Sequence, residues 1–110
     1  MKEADRLLLG QLDDIITENL HDSDFQLNDI TEQLEISRTT LYRLIVKLTG
    51  MSPNSYIRKK RLEKAKEILE IGVYPTVKET ALAVGFKNPS YFSRLFYEAF
   101  GITPFDLLRG

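Results

Sequence analysis

The chain has 110 residues, 43% of them hydrophobic, with no cysteine, one histidine and a formal net charge of −1; this fits one compact body or two very small ones sharing a core and excludes a large enzyme. Without cysteine there is neither a disulfide framework nor a thiolate zinc site, and His21 alone builds no metal cluster, so no metal or cofactor is expected and a reducing cytoplasm suits the chain. No apolar run approaches the roughly 20 residues that cross a bilayer and the opening MKEADR has no apolar signal core, so a soluble segment without membrane contact is expected.

Helical periodicity runs through the chain, and no alternating apolar and polar stretch is long enough to argue for a sheet, so the fold is expected to be all-α. Leu8, Leu12, Ile15, Ile16 and Leu20 recur at helical spacing with Asp13, Asp14 and Glu18 opposite, predicting an amphipathic first helix with an acidic outer face. Leu27, Ile30, Thr31 and Leu34 mark a short second helix. A third runs from about Arg38 to Thr49 and stops at Gly50. Two short helices joined by a tight turn outline a helix-turn-helix unit.

Ser52-Pro53 places an N-cap before a proline at the first helical position and opens a long helix ending at Gly72. At 1.5 Å per residue this is a rod of roughly 27 Å. Thr76-Val77-Lys78-Glu79 has the capping-box pattern and starts a helix expected to end at Gly85. Pro89 begins the next, which reaches Phe100 before Gly101, and Thr103-Pro104 starts a last one. The segments are thus 1–26 (acidic leading helix and loop), 27–52 (first helix-turn-helix), 53–72 (linker helix) and 76–110 (second helix-turn-helix and final helix).

A repeat underlies this order. A shift of 51 residues lays Leu41, Arg43, Leu44, Gly50, Ser52, Pro53 and Arg58 on Phe92, Arg94, Leu95, Gly101, Thr103, Pro104 and Arg109. For the preceding helices the shift is 50, pairing Leu27 with Val77, Thr31 with Ala81, Leu34 with Val84 and Ile36 with Phe86, so the second turn is one residue longer. In the first copy Leu41, Leu44, Ile45 and Leu48 form the inward stripe, leaving Thr39, Tyr42, Arg43 and Val46 outside. In the second, Phe92, Leu95, Phe96 and Ala99 point inward and Ser90, Ser93, Arg94 and Tyr97 outward. Each outer face centres on an arginine, whose planar fork matches O6 and N7 of guanine in a major groove wide enough for one helix.

Charge is segregated along the chain. Residues 1–36 hold two bases and ten acids, whereas residues 37–66 hold nine bases and only Glu63 as an acid. Arg38, Arg43, Lys47, Arg58, Lys59, Lys60, Arg61, Lys64 and Lys66 form the block that a polyanion would meet. Within it, Arg58, Lys59, Lys60 and Arg61 are expected at the start of the rod, placed to straddle phosphates; a merely solvated basic helix start is the competing reading.

The stretch from Leu27 to Arg109 resembles the DNA-binding domain of AraC/XylS-type transcription regulators, above all in Ala81-Leu-Ala-Val-Gly-Phe-Lys-Asn-Pro-Ser-Tyr-Phe-Ser-Arg-Leu-Phe96 and Phe100-Gly-Ile-Thr-Pro104. The acidic first helix is similar to the one preceding this domain in response-regulator and hybrid two-component members. The resemblance implies a homeodomain-like fold of about seven helices, with two helix-turn-helix units entering adjacent major grooves of double-stranded DNA. Carried over by position, base reading falls on Thr39, Tyr42 and Arg43 in the first unit and on Pro89, Ser90, Tyr91 and Arg94 in the second. Phosphate contacts fall on Ser37, Thr40 and Asn88, with Lys47 and Lys59 as further cationic contacts. The family further implies activation through RNA polymerase and a sensory or receiver domain upstream. Four positions depart from its pattern: Thr80 replaces a large aliphatic, Glu35 a common turn glycine, and Tyr97-Glu98 common lysines. The first unit is therefore expected to carry most of the affinity.

An enzyme is disfavoured, because the chain offers no cysteine nucleophile, no glycine-rich phosphate cradle and no paired carboxylates in an apolar setting. A helical protein-interaction module stays open as the alternative, since the acidic first segment suits a basic partner and Tyr42, Val46, Tyr91 and Tyr97 are partly apolar.

Overall fold

The computed structural model describes residues 2–110. Among them there are seven helices and no strand: α1 (Glu3–Glu18), α2 (Leu27–Leu34), α3 (Arg38–Thr49), α4 (Pro53–Ile71), α5 (Val77–Ala83), α6 (Pro89–Phe100) and α7 (Pro104–Arg109). No helix among the described residues is long and apolar enough to cross a membrane.

Most helix starts are set by one side-chain oxygen that accepts a free first-turn amide. Ser37 accepts from the Thr40 amide, Ser52 from Ser55, Thr76 from Glu79, Asn88 from Tyr91 and Thr103 from Asp106, at 3.0–3.3 Å. At α2 the reciprocal device operates: the Asp29 carboxylate accepts from the Gln26 amide at 2.8 Å. That start carries no Ser or Thr, and the apolar pattern alone had to locate it. The ends of α3 and α6 are glycines in the left-handed region, Gly50 and Gly101, both at φ 71°.

Helix α1 starts and ends earlier than the apolar spacing predicts. It stops at Glu18, and the carboxamide of Asn19 donates to the Ile15 carbonyl at 2.8 Å. Leu20 therefore lies beyond the helix. Asp13 is not on a solvated acidic face either, because the Tyr56 hydroxyl donates to its carboxylate.

The chain packs as two units. The first gathers the chain up to Asn19 with Phe25–Lys59; the second gathers Leu20–Asp24 with Lys60–Gly110. Helix α4 is thus shared, and residues 20–24 belong with the second unit although first-unit residues flank them on both sides.

In the first unit the buried apolar side chains are Leu12, Ile16, Phe25, Leu27, Ile30, Leu41, Ile45, Tyr56 and Ile57. They supply the inner faces of α1, α2, α3 and the start of α4. In the second, Leu62, Ala65, Leu69, Ala81, Val84, Phe86, Phe92 and Phe96 form one core, with Leu95, Phe100 and Leu107 packed against it. Successive rings of Phe86, Phe92, Phe96 and Phe100 tilt on one another at 4.7–5.7 Å between centroids, within the range where aromatic pairs attract beyond their buried area.

Two details adjust the expected inner faces. Ala99, expected inside, is exposed, and Phe100 lies half-buried under the ammonium of Lys66, 5.2 Å from its ring centre. Thr80 is fully buried where the resemblance leads one to expect an aliphatic, and its hydroxyl donates to the Thr76 carbonyl at 3.2 Å. That bond removes the penalty of a buried unpaired hydroxyl.

Candidate nucleic-acid interface

The two turns that aim the outward helices each hold one residue in the left-handed region and differ in its side chain and in length. In the first unit the turn is Glu35, Ile36, Ser37, with Glu35 in the left-handed region at φ 55°. A side chain there strains the backbone by about 1–2 kcal/mol. In the second, α5 ends at Ala83, short of the expected Gly85, and Gly85 itself takes φ 88°. At Gly85 a side chain has no room, because an added Cβ would collide with the Arg61 guanidinium and the Leu20 carbonyl.

On α3 the first-unit residues singled out by sequence come together on one open face. Arg38, Thr39, Tyr42 and Arg43 line a concavity of about 250 Å³. Thr39 and Arg43 are exposed, and Tyr42 is 47% exposed with Val46 beside it at 41%. Ser37 and Thr40 are exposed too, but their hydroxyls are bonded to one another at 2.9 Å within the cap. Sequence reasoning counted Arg38 only as part of the basic block. The structure seats it in the concavity and ties its guanidinium to the Asn28 carboxamide oxygen at 2.6 Å.

Lys47 is exposed, yet its ammonium lies 3.9 Å from the carboxylate of Asp5, which is itself largely covered. The acidic leading helix therefore offsets part of the charge expected of α3. Lys59 is exposed on α4 and is not drawn into the α3 concavity.

In the second unit Asn88 caps α6, Pro89 occupies the first helical position half-buried, and Ser90, Tyr91 and Arg94 are exposed. The Arg94 guanidinium stands over the Tyr91 ring at 5.2 Å, and the Tyr91 edge meets Phe86 at 6.4 Å. A cation held over a ring in this way is biased toward one orientation before any ligand arrives. Ser93, expected outside, is half-buried. Lys87, just before the cap, is paired with Asp24 at 2.9 Å.

The basic block does not act as one surface. Lys64 and Lys66 pair along α4 with Glu67 and Glu70 at 3.5 and 3.8 Å. Arg61, expected to straddle phosphates, is only 6% exposed. Its guanidinium donates to the Leu20 carbonyl, to Val84 O at 2.8 Å and to Asp22 O at 2.9 Å. Burial pushes its pKa below the ordinary value, and the Asp22 carboxylate pulls the other way. The signal was present in the sequence: Ile57, Arg61, Ala65 and Leu69 follow at spacings of four, so Arg61 lies on the apolar stripe of α4.

Comparison with known proteins accords with this geometry. Residues 30–110 match the family model described as a helix-turn-helix domain. Histidine kinase P4 of Formosa agariphila is 34% identical over 104 residues, 94% of this chain and 8% of that protein. The HTH-type transcriptional activator RhaS of Shigella boydii is 30% identical over 104 residues, 94% of this chain and 35% of that protein. The chain therefore spans about a third or less of the length of these curated relatives. Among solved structures, the C-terminal domain of AraT, a response regulator from Geobacillus stearothermophilus, superposes with a TM-score of 0.78 at 31% identity, covering 90% of this chain and 81% of that one. The DNA-binding domain of AdpA, solved in complex with a target DNA, gives 0.74 at 28% identity over 84% of this chain and 81% of that one. The chain belongs to the helix-turn-helix domain family, as an AraC-type DNA-binding domain of the kind that forms the output end of transcription regulators.

Proposed function

We propose that the chain reads duplex DNA through α3 and α6, each entering a major groove, with Thr39, Tyr42 and Arg43 on base edges in the first unit and Pro89, Ser90, Tyr91 and Arg94 in the second. The observation that carries this reading is the pair of exposed arginines, Arg43 and Arg94, one on each helix whose opposite face is locked into a core. Ser37, Thr40 and Asn88 present helix starts to phosphates, where free amides and the helix dipole favour an anion. Lys47 and Lys59 add cationic contacts. In the whole protein the chain serves a sensory or receiver domain and acts on transcription through RNA polymerase.

The test is selection of bound sites from random duplex DNA, followed by salt titration. The selected site is expected to be bipartite and asymmetric, one half read by each unit, and affinity is expected to fall steeply with salt. Lys59→Ala should weaken binding uniformly across sequences and reduce the log–log salt slope by about one. A flat salt response with equal affinity for all sequences would leave the protein-interaction module as the better reading. A palindromic site would mean that two copies bind with one unit each.

A further inference from the structure

Arg61 has no outward role in the interface described above, yet it is the cation most deeply built into the second unit. Its two terminal nitrogens are shared between two segments that are remote in sequence. One is the loop 20–24, through the carbonyls of Leu20 and Asp22; the other is the end of α5, through the carbonyl of Val84. Gly85, directly after Val84, leaves the space that the guanidinium occupies. The same loop reaches the far end of the turn, where Asp24 holds Lys87, the residue before the α6 cap. Leu20 is buried at 5% exposure and anchors the loop from its other side.

We infer that Arg61 is a positioning residue for the second recognition helix: it fastens the 20–24 loop to the turn between α5 and α6 and so fixes how α6 leaves that turn. A guanidinium suits the task because its planar fork serves several carbonyls at once, which a lysine ammonium does not reproduce. Its guanidinium is buried and its terminal nitrogens are taken up by carbonyls of the same unit, so it makes no phosphate contact. This inference rests on the DNA-reading function proposed above and predicts which half of the site Arg61 governs.

The full chain carrying Arg61→Lys, and separately Arg61→Met, is titrated against the selected duplex and against duplexes in which one half-site is randomised. Both variants are expected to lose at least tenfold in affinity for the intact site. On a duplex that retains only the half read by α3, both should bind as the unaltered chain does, with the same salt slope. A loss that is uniform across sequences and accompanied by a shallower salt slope would make Arg61 a phosphate contact and overturn the inference. Amide hydrogen exchange on the free chain supplies a readout without DNA. In Arg61→Lys, the Gly85 and Phe86 amides, bonded to Leu82 and Ala81 carbonyls, are expected to exchange at least tenfold faster, while the Gly50 amide at the end of α3 is unchanged. Equal acceleration at all three, or none at any, would reduce Arg61 to a general core residue and overturn the proposal. If the unaltered chain selects no sequence at all, the DNA-reading function fails, and the exchange measurement still decides the role of Arg61.

Discussion

The turns before α3 and α6 have equivalent residues at their left-handed positions, Glu35 and Gly85, and the two units use them in opposite ways. Glu35 is exposed and its side chain projects into solvent, so the first unit tolerates a strained glutamate where glycine would relax the backbone. Gly85 faces a buried guanidinium and a carbonyl, so the second unit admits nothing larger. The lesson is that a left-handed turn position is not by itself a demand for glycine. The demand arises where something else occupies the space that Cβ would take.

The largest effect is expected from breaking the tight turn. Gly85→Ala should destabilise the second unit by about 3 kcal/mol, since it adds overpacking against Arg61 and Leu20 to left-handed strain; urea unfolding read by the second-unit tyrosines checks this. A loss below about 1 kcal/mol would mean that the two turns are alike after all.

Next come the arginines. Arg43→Ala and Arg94→Ala should each cost about 1–3 kcal/mol of binding and relax preference at a single base pair. Measured base by base, Tyr91→Leu should reproduce part of the Arg94 loss at the same base pair, by about 0.5–1 kcal/mol, because it removes the ring that braces the fork. No such effect is expected at Arg43, which has no aromatic ring stacked on it among the described residues.

Glu35→Gly should raise the stability of the first unit by up to about 1 kcal/mol, seen as a higher Tm, with the chain entropy of glycine trimming the gain. Opposite signs at Glu35 and Gly85 would sharpen the contrast between the turns; equal signs would break it. The smallest effect is expected from Asp5→Asn, which releases Lys47 from a surface pair worth a few tenths of a kcal/mol. DNA affinity should rise about twofold at low salt and not at high salt, where such pairs are screened.

Much of this fold is legible in the sequence because helix starts are local events. Ser37, Ser52, Thr76, Asn88 and Thr103 announce helices by chemistry contained within four residues, and the 50- and 51-residue shifts place the second unit once the first is found. What escaped depends on remote partners. Arg61 sits in a run of four cations; the apolar stripe of α4 sets it apart from its neighbours as inward-facing, but its partners, the carbonyls of residues 20, 22 and 84, lie far away in sequence. The partnership of Asp13 with Tyr56 is likewise set across 43 residues. The exposed faces of α3 and α6 follow from their inner stripes, so the candidate reading residues could be named. The engagement of Lys47 by Asp5 could not, since helical periodicity says nothing about which helix packs alongside.

The loop 20–24 also bears on the order in which the chain is completed during synthesis. It leaves the ribosome ahead of the rest of its unit: its carbonyls meet their cation only when Arg61 has emerged, and the joint closes only with Val84. The first unit has all its residues by Lys59, whereas the second must wait with an open loop for more than half the chain. Cutting the gene between Lys59 and Lys60 would therefore not yield two self-sufficient halves. The downstream piece would carry a buried charge stripped of two of its three acceptors, so the smallest fragment able to complete the second unit includes the loop as well.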